Sequence, residues 1–403
     1  MVSTASRVGT GNIIGVSTAL CLGGFGSVFW MWIIAIIGSA SAFIESTLAQ
    51  IYKKRNSDGT CSGGPAYYIL QGLNNKPLAI IFSVLLIFTY GVGFNMLASY
   101  NLQSTFSAYD FYNPEASPWI IGIILAVICG YCLIGGGKRI ISVTTFLVSV
   151  MGIAYILVAL IIVAMNFRML PDVFRTIFTE AFDFQAIFGG FSGSCIMFGI
   201  KRGLFSNEAG VGSAPNASAS AEVEHPVKQG LVQVLSVFID TLLVCSASAF
   251  MCMCSGVEPS AELSGAPYVQ AALSETLGAF GPIFITIAMI LFGFTTLLGN
   301  IYYVDMAVIF LFKNEPSKLA MNIYHIAAAL LIFIGAGLSA DFLWNIADIA
   351  MGGMAIINIP VIIILSKYAL AALKDYDNQR KQGITPVFKA KSINLPHDVD
   401  YWK

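Results

Sequence analysis

The sequence predicts an all-α polytopic membrane protein of about ten transmembrane helices, and three observations predict it. First, 57% of its 403 residues are apolar, 11% are charged, and the mean hydropathy is +0.79. A soluble domain carries roughly 25% charged residues to cover its surface. Soluble, disordered, coiled-coil and nucleic-acid-binding classes are therefore excluded. Second, eight apolar runs reach the roughly 20 residues that a membrane helix needs. Third, the ten-residue segments of alternating polarity that build membrane β-barrels are absent.

In chain order the uninterrupted runs lie near residues 28–51, 77–105, 117–134, 139–165, 229–255, 281–312, 319–338 and 343–365. Two further segments, near 1–22 and 185–205, are interrupted by small residues. Short polar loops with Gly or Pro join them. The organisation is one transmembrane domain over 1–366, with repeats of about 1–166 and 185–366 and a polar, cytoplasmic tail over 367–403. That tail contains Pro386 and Pro396 and reads as a solvated extension.

Positive charge sets the orientation. One side collects Lys53, Lys54, Arg55, Lys76, Lys138, Arg139, Lys201, Arg202, Lys228, Lys313, Lys318 and the seven tail cations. The other side holds Arg168 and Arg175 with Asp110, Glu115, Asp172, Glu180, Asp183, Glu258, Glu262, Glu275 and Asp341. A plasma-membrane protein with a cytoplasmic C-terminus is expected. Asn216-Ala217-Ser218 fits a glycosylation sequon but falls on the cytoplasmic side.

The two interruptions carry the functional signal. Gly9-Thr10-Gly11-Asn12-Ile13-Ile14-Gly15 lies in the first segment, and Gly189-Gly190-Phe191-Ser192-Gly193-Ser194 lies in the sixth. Five helices start with each, so the breaks occupy equivalent positions, and halves with an odd number of spans are inverted. Paired broken helices in inverted halves point to a transporter's binding site. A helix unwound in the bilayer frees N–H and C=O groups that lipid cannot satisfy. A solute, an ion or buried protein must take them up, carboxylates at N-terminal ends and cations at freed carbonyls. Close packing of helices through small residues is the competing account of such glycines. The first cluster imitates a dinucleotide fingerprint, but its third Gly is one place late and no strand precedes it.

Eight cysteines lie mostly in apolar runs, where Cys acts as a small hydrophobe. Cys129-x-x-Cys132 has redox spacing without a second pair or a His cluster, so no cofactor or metal centre is expected beyond a coupling ion. No nucleophile–base pair or nucleotide motif suggests an enzyme, and no selectivity-filter repeat suggests a channel.

These residues resemble the alanine or glycine:cation symporter family. The resemblance is carried by Arg7-Val8-Gly9-Thr10-Gly11-Asn12-Ile13, Phe29-Trp30-Met31-Trp32 and Gly63-Gly64-Pro65-Ala66-Tyr67-Tyr68. Its most specific stretch runs from Gly203-Leu204-Phe205-Ser206-Asn207-Glu208-Ala209-Gly210 through Val211-Gly212-Ser213-Ala214-Pro215, followed by His225-Pro226-Val227-Lys228-Gln229-Gly230. It implies a LeuT-type fold with two inverted five-helix repeats and sodium-driven import of a small neutral amino acid. The sequence departs from the family twice. Eight residues before Gly9 span only about 12 Å of a 15 Å half-bilayer, so the N-terminal half of the first helix is expected to be missing. Ala98 and Tyr100 stand where the family tends to have Gln and Asn.

Thr10, Gly11 and Asn12 are expected to hold the substrate carboxylate through backbone N–H groups, with Phe191, Ser192 and Gly193 opposite. Ala98 and Trp344 complete the expected pocket. Sodium is expected between the hydroxyls of Thr295 and Thr296 and carbonyls of Ala5 and Val8. The competing account of the threonines is a hydroxyl bond to the carbonyl one turn back. Glu45 is expected to support the site by accepting N–H groups freed at Ser192–Ser194, and Asp240 to contact a cation or cap a polar cluster, since carboxylates within spans are costly. Asp305 is expected at the interface. A proton-coupled carrier of another small zwitterion, with Asp240 taking the proton, is the rival function.

Overall fold

The computed structural model describes residues 7–57, 59–134, 137–183, 194–312, 316–395 and 399–402. Its helices are α1 (Gly11–Gly23), α2 (Ser27–Ile51), α3 (Pro65–Leu73), α4 (Lys76–Ala108), α5 (Ser117–Ile134), α6 (Gly137–Met165) and α7 (Leu170–Ala181). They continue as α8 (Cys195–Asn207), α9 (Ala214–Ala219), α10 (Pro226–Met253), α11 (Ala266–Leu277), α12 (Phe280–Phe312), α13 (Lys318–Ala336) and α14 (Ala340–Lys381). A two-stranded hairpin, β1 (Lys54–Arg55) with β2 (Cys61–Ser62), caps the end of α2.

Among the described residues, seven helices (α2, α4, α5, α10, α12, α13 and α14) are long and apolar enough to cross a membrane. An eighth span is formed if Val150–Met165 and Phe167–Ala181, bent by 76°, count as one. The chain is therefore a multi-pass membrane protein. The α1 helix has 13 residues, about 20 Å at 1.5 Å each, and cannot cross alone. The uninterrupted predicted spans match their helices to within a few residues, except that the last, expected to end near 365, continues in α14 to Lys381.

Among the described residues the helices pack in two large apolar clusters, with a small third of Ala35, Ala42, Ala209 and Val237. One centres on α2, α4, α12, α13 and α14, and the other on α1, α6, α10, α11 and the first half of α12. The α2 helix lies against both α8 and α10. Glycine makes that approach possible: a Cβ at Gly199 would stand 2.6 Å from Ser27 O and one at Gly203 2.5 Å from the Ile34 side chain.

Helical geometry differs from expectation in three membrane helices. Gly11–Gly15 of α1, Ile87–Phe94 of α4 and Phe238–Cys245 of α10 are π-helical. In α1 the irregular backbone is at Val8 and Gly9, and the glycine run after it is wound rather than open. Before α8 the chain is extended at Ser194, whose Oγ caps the helix by accepting from Met197 N–H.

The tail is not a solvated extension. The α14 helix continues past Ser366 to Lys381, with Leu365, Ala369 and Ala372 on a buried face at i, i+4, i+7 spacing. Beyond it the chain folds back across the ends of α2 and α10. Phe388 N–H donates to Glu224 O, Trp402 Nε1 donates to Gln50 O at 2.7 Å, and the Lys53 ammonium sits 4.0 Å from the centre of the Tyr401 ring. Phe388, Ile393, Val399 and Trp402 are buried there. Aromatic residues at wide spacing carry no periodic signal, so their common docking surface is invisible until the helices are assembled.

Candidate functional site

The π-helical turns of α1 and α10 and the last turn of α8 meet at one buried point. A π turn re-aims side chains that a regular helix would direct elsewhere, and such turns are frequent at functional sites. Here they bring Asn12 and Asp240 together. Asn12 Nδ2 lies 2.8 Å from Asp240 Oδ1, 3.0 Å from Ser206 Oγ and 3.3 Å from Cys245 Sγ. Asp240 Oδ2 accepts from Ser206 Oγ at 2.7 Å and Thr241 Oγ1 at 3.0 Å. Asn12 Oδ1 accepts Gly9 N–H at 2.7 Å, tying the nest to the irregular backbone of the first segment.

Asn12, Asp240 and Thr241 are all 0% exposed. Every hydrogen bond to the carboxylate comes from a neutral donor. Among the described residues no Lys, Arg or His nitrogen lies within 4.0 Å of Asp240. The buried Arg7 bonds Gln233 Oε1 at 2.8 Å instead. Asp240 is thus a buried carboxylate with no direct ion pair among the described residues, a costly state for a charge in a low-dielectric interior.

A second charged cluster adjoins it. Arg202 was counted among the cytoplasmic cations from sequence, but it is 2% exposed and turns inward. Its Nη2 donates to Asp348 Oδ2 at 2.5 Å and its guanidinium lies 4.0 Å from the centre of Trp344. Arg202 Nε and Nη1 and Asp348 Oδ1 are buried without a partner among the described residues. Phe205 stacks between Phe94 and Trp344, with ring centres at 4.6 and 4.9 Å. Sequence reasoning missed Arg202, Phe205 and Ser206 as site residues, because Arg202 was counted as a cytoplasmic cation and the residue pattern does not say which way α8 turns each side chain.

Above this layer a cavity of about 670 Å³ opens on the side of Glu262 and Asp341. Trp344, Ile14, Thr18 and Tyr100 line it. Trp344 is thus one of its walls. Ala98 is buried in an apolar cluster and does not line the cavity, whereas Tyr100 two residues later does.

The remaining expected residues fall as follows. Asn12 contributes its side chain, and its N–H is spent on Gly9 O at 3.2 Å. Gly11 presses on the Phe205 ring, where a Cβ would stand 3.0 Å from Cδ1, so this glycine serves close packing. Thr10 and Val8 are buried beside it. Ala5, Phe191, Ser192 and Gly193 lie outside the described residues. Thr295 and Thr296 are buried and adjacent on α12, and both hydroxyls donate to Phe292 O, at 3.0 and 2.8 Å. That is the bond to the preceding turn, and it leaves the oxygen lone pairs pointing away from the donated hydrogens. Val8 and Phe292 belong to one buried cluster.

Glu45 supports backbone among the described residues at Gly210, while Ser192 and Gly193, its expected partners with Ser194, lie outside them. It accepts Gly210 N–H at 3.4 Å and Asn358 Nδ2 at 2.9 Å. Asn358 also donates to Gly210 O and accepts from Tyr68 Oη. The turn it holds needs left-handed backbone at Glu208, Gly210 and Gly212, with φ of 54, 81 and 89°. A Cβ at Gly212 would stand 2.8 Å from Phe82. The glycines of the Asn207–Ser213 motif are thus backbone requirements, supported by Glu45 from α2. Asp305, near the end of α12, is buried, with His325 Nε2 at 3.1 Å.

The sequence profile of the sodium:alanine symporter family matches residues 1–390. The amino-acid carrier protein AlsT of Bacillus subtilis is 43% identical over 402 residues, covering all of this chain and 84% of that protein. The probable sodium/glutamine symporter GlnT of the same organism is 42% identical over 402 residues, with 100% and 82% covered. The sodium/alanine symporter AgcS of Methanococcus maripaludis is 37% identical over 389 residues, with 94% and 84% covered. An irregular first segment, a buried carboxylate without a direct ion pair, a deep cavity and these matches along nearly the whole sequence lead to one conclusion: the chain belongs to the sodium:alanine symporter family, whose members carry amino acids with a coupled cation.

Proposed function

We propose that this protein is a sodium-coupled importer of a small neutral amino acid of the alanine or glycine class across the plasma membrane. It works by alternating access on a LeuT-type fold of two inverted five-helix repeats, with its tail in the cytoplasm. The observation that carries the reading is Asp240, a membrane-embedded carboxylate held by three neutral donors and by no direct ion pair among the described residues. A charge left in that state is stabilised by any cation that reaches it, which couples cation entry to closure of α1, α8 and α10 around it.

In this reading Asp240 and Asn12 face one sodium position. A second lies over the Thr295 and Thr296 hydroxyls, completed by the carbonyls of Ala5 and Val8. Neutral oxygens make a weak, reversible site, which suits an ion that must be released. The substrate carboxylate sits between the backbone of Thr10 and Gly11 and that of Phe191, Ser192 and Gly193, with Trp344 as the cavity wall. The unpartnered N–H groups of Arg202 add a permanent positive charge nearby. The names of the relatives support amino acid and cation, and they differ in the amino acid.

The rival reading makes Asp240 a proton carrier, since a lone buried carboxylate is satisfied by H⁺ as well as by Na⁺. Uptake of labelled alanine into proteoliposomes separates the two. At fixed pH, uptake rises with external sodium under the first reading. Uptake that ignores sodium and follows an imposed pH gradient establishes the second.

A further inference from the structure

A different cavity, of about 770 Å³, lies at the opposite end of the molecule from the one above Trp344. Its walls come from places that meet only at a membrane boundary. Lys54 and Arg55 belong to the hairpin just after α2, Lys76 opens α4, and Ile309, Phe310 and Leu311 form the last turn of α12. All are ends of membrane-spanning helices on one side. Asp400 of the folded tail is the one carboxylate among the described lining residues.

The chemistry of this cavity is two-sided. Three cations line it, and among the described residues none forms an ion pair. Gln71 also lines it, and its Oε1 is buried without a hydrogen-bond partner. The lower wall is apolar and continues outward along α4. Ile80, Ile81, Val84 and Phe88 are exposed there at 39, 55, 54 and 47%, on the face a membrane helix turns to lipid. A soluble anion has no use for such a wall, and a neutral lipid has none for three cations.

We propose that this cavity binds an anionic phospholipid. Lys54, Arg55 and Lys76 hold its phosphate, Gln71 accepts from a headgroup hydroxyl, and an acyl chain runs along Ile80 and Val84. Basic pockets between membrane helices are the general means of holding anionic headgroups, each cation contributing about a fivefold gain in affinity. The site rests on the chain being a multi-pass membrane protein and not on the proposed sodium coupling. Because Asp400 and Tyr401 belong to the tail, with Arg55 5.2 Å from the Tyr401 ring centre, an occupied site also braces the tail against the hairpin.

The test uses the full chain purified in an uncharged detergent and titrated with dioleoyl phosphatidylglycerol, dioleoyl phosphatidylcholine or inorganic phosphate. Bound lipid is counted by mass spectrometry of the intact complex. The expected result is one phosphatidylglycerol retained in preference to phosphatidylcholine. Affinity should fall about fivefold in each of Lys54→Gln, Arg55→Gln and Lys76→Gln, and stay near wild type in Lys54→Arg and Lys76→Arg. The single variants keep the test decisive if a triple variant fails to fold. No preference for phosphatidylglycerol, or a preference unchanged in all three Gln variants, overturns the proposal. So does inorganic phosphate displacing the lipid at equal concentration, which would make the site one for free phosphate.

Discussion

Replacing Asp240 by Asn tests the coupling mechanism with the least disturbance of shape. The carboxylate accepts from Asn12, Ser206 and Thr241 at 2.7–3.0 Å, and the last two donors are hydroxyls that can rotate to accept from an amide. The nest therefore keeps its volume and most of its hydrogen bonds. What it loses is charge. A cation about 4 Å from a carboxylate gains roughly 4 kcal/mol at an effective dielectric of 20. At 1.4 kcal/mol per decade that is two to three decades in sodium affinity. The assay is alanine uptake into proteoliposomes at fixed pH over a range of sodium concentrations. Asp240→Asn should raise the half-maximal sodium concentration at least a hundredfold or abolish sodium dependence. Thermal stability without sodium should stay level or rise, because an uncompensated buried charge has been removed. A half-maximal concentration within threefold of wild type, with uptake intact, would refute the assignment of a cation to Asp240.

Thr295→Val and Thr296→Val, measured in the same assay, should each cost about 1–3 kcal/mol, or 5- to 150-fold in sodium affinity. Unchanged values for both would leave the hydroxyls as helix-internal donors to Phe292 O and place the ion elsewhere. Trp402→Ala removes a ring that is 8% exposed, its bond to Gln50 O and its contact with Lys53. It should lower stability by about 3 kcal/mol, the lower end for a buried aromatic, read as a lower unfolding temperature in detergent. An unchanged temperature would show that the tail does not stay docked.

Much of this protein follows from its sequence alone. Hydropathy places the membrane helices, since in lipid every backbone group must be paired locally and an apolar run of sufficient length has few alternatives to a helix. Long motif matches were sufficient to recognise the family. The irregular backbone near Gly9 was legible because glycine clusters inside apolar runs have few other uses. Tertiary structure alone decided what those features do. Asn12 and Asp240 are 228 residues apart, and only π turns in two packed helices bring their side chains to 2.8 Å. Arg202 reads as a loop cation because charge count is blind to direction, yet α8 turns it onto Trp344 and Asp348. That Glu45 meets Gly210 is hidden from the sequence for the same reason. A sequence records which groups are costly to bury, and the partner that offsets each cost is chosen by helix packing, on which local periodicity is silent.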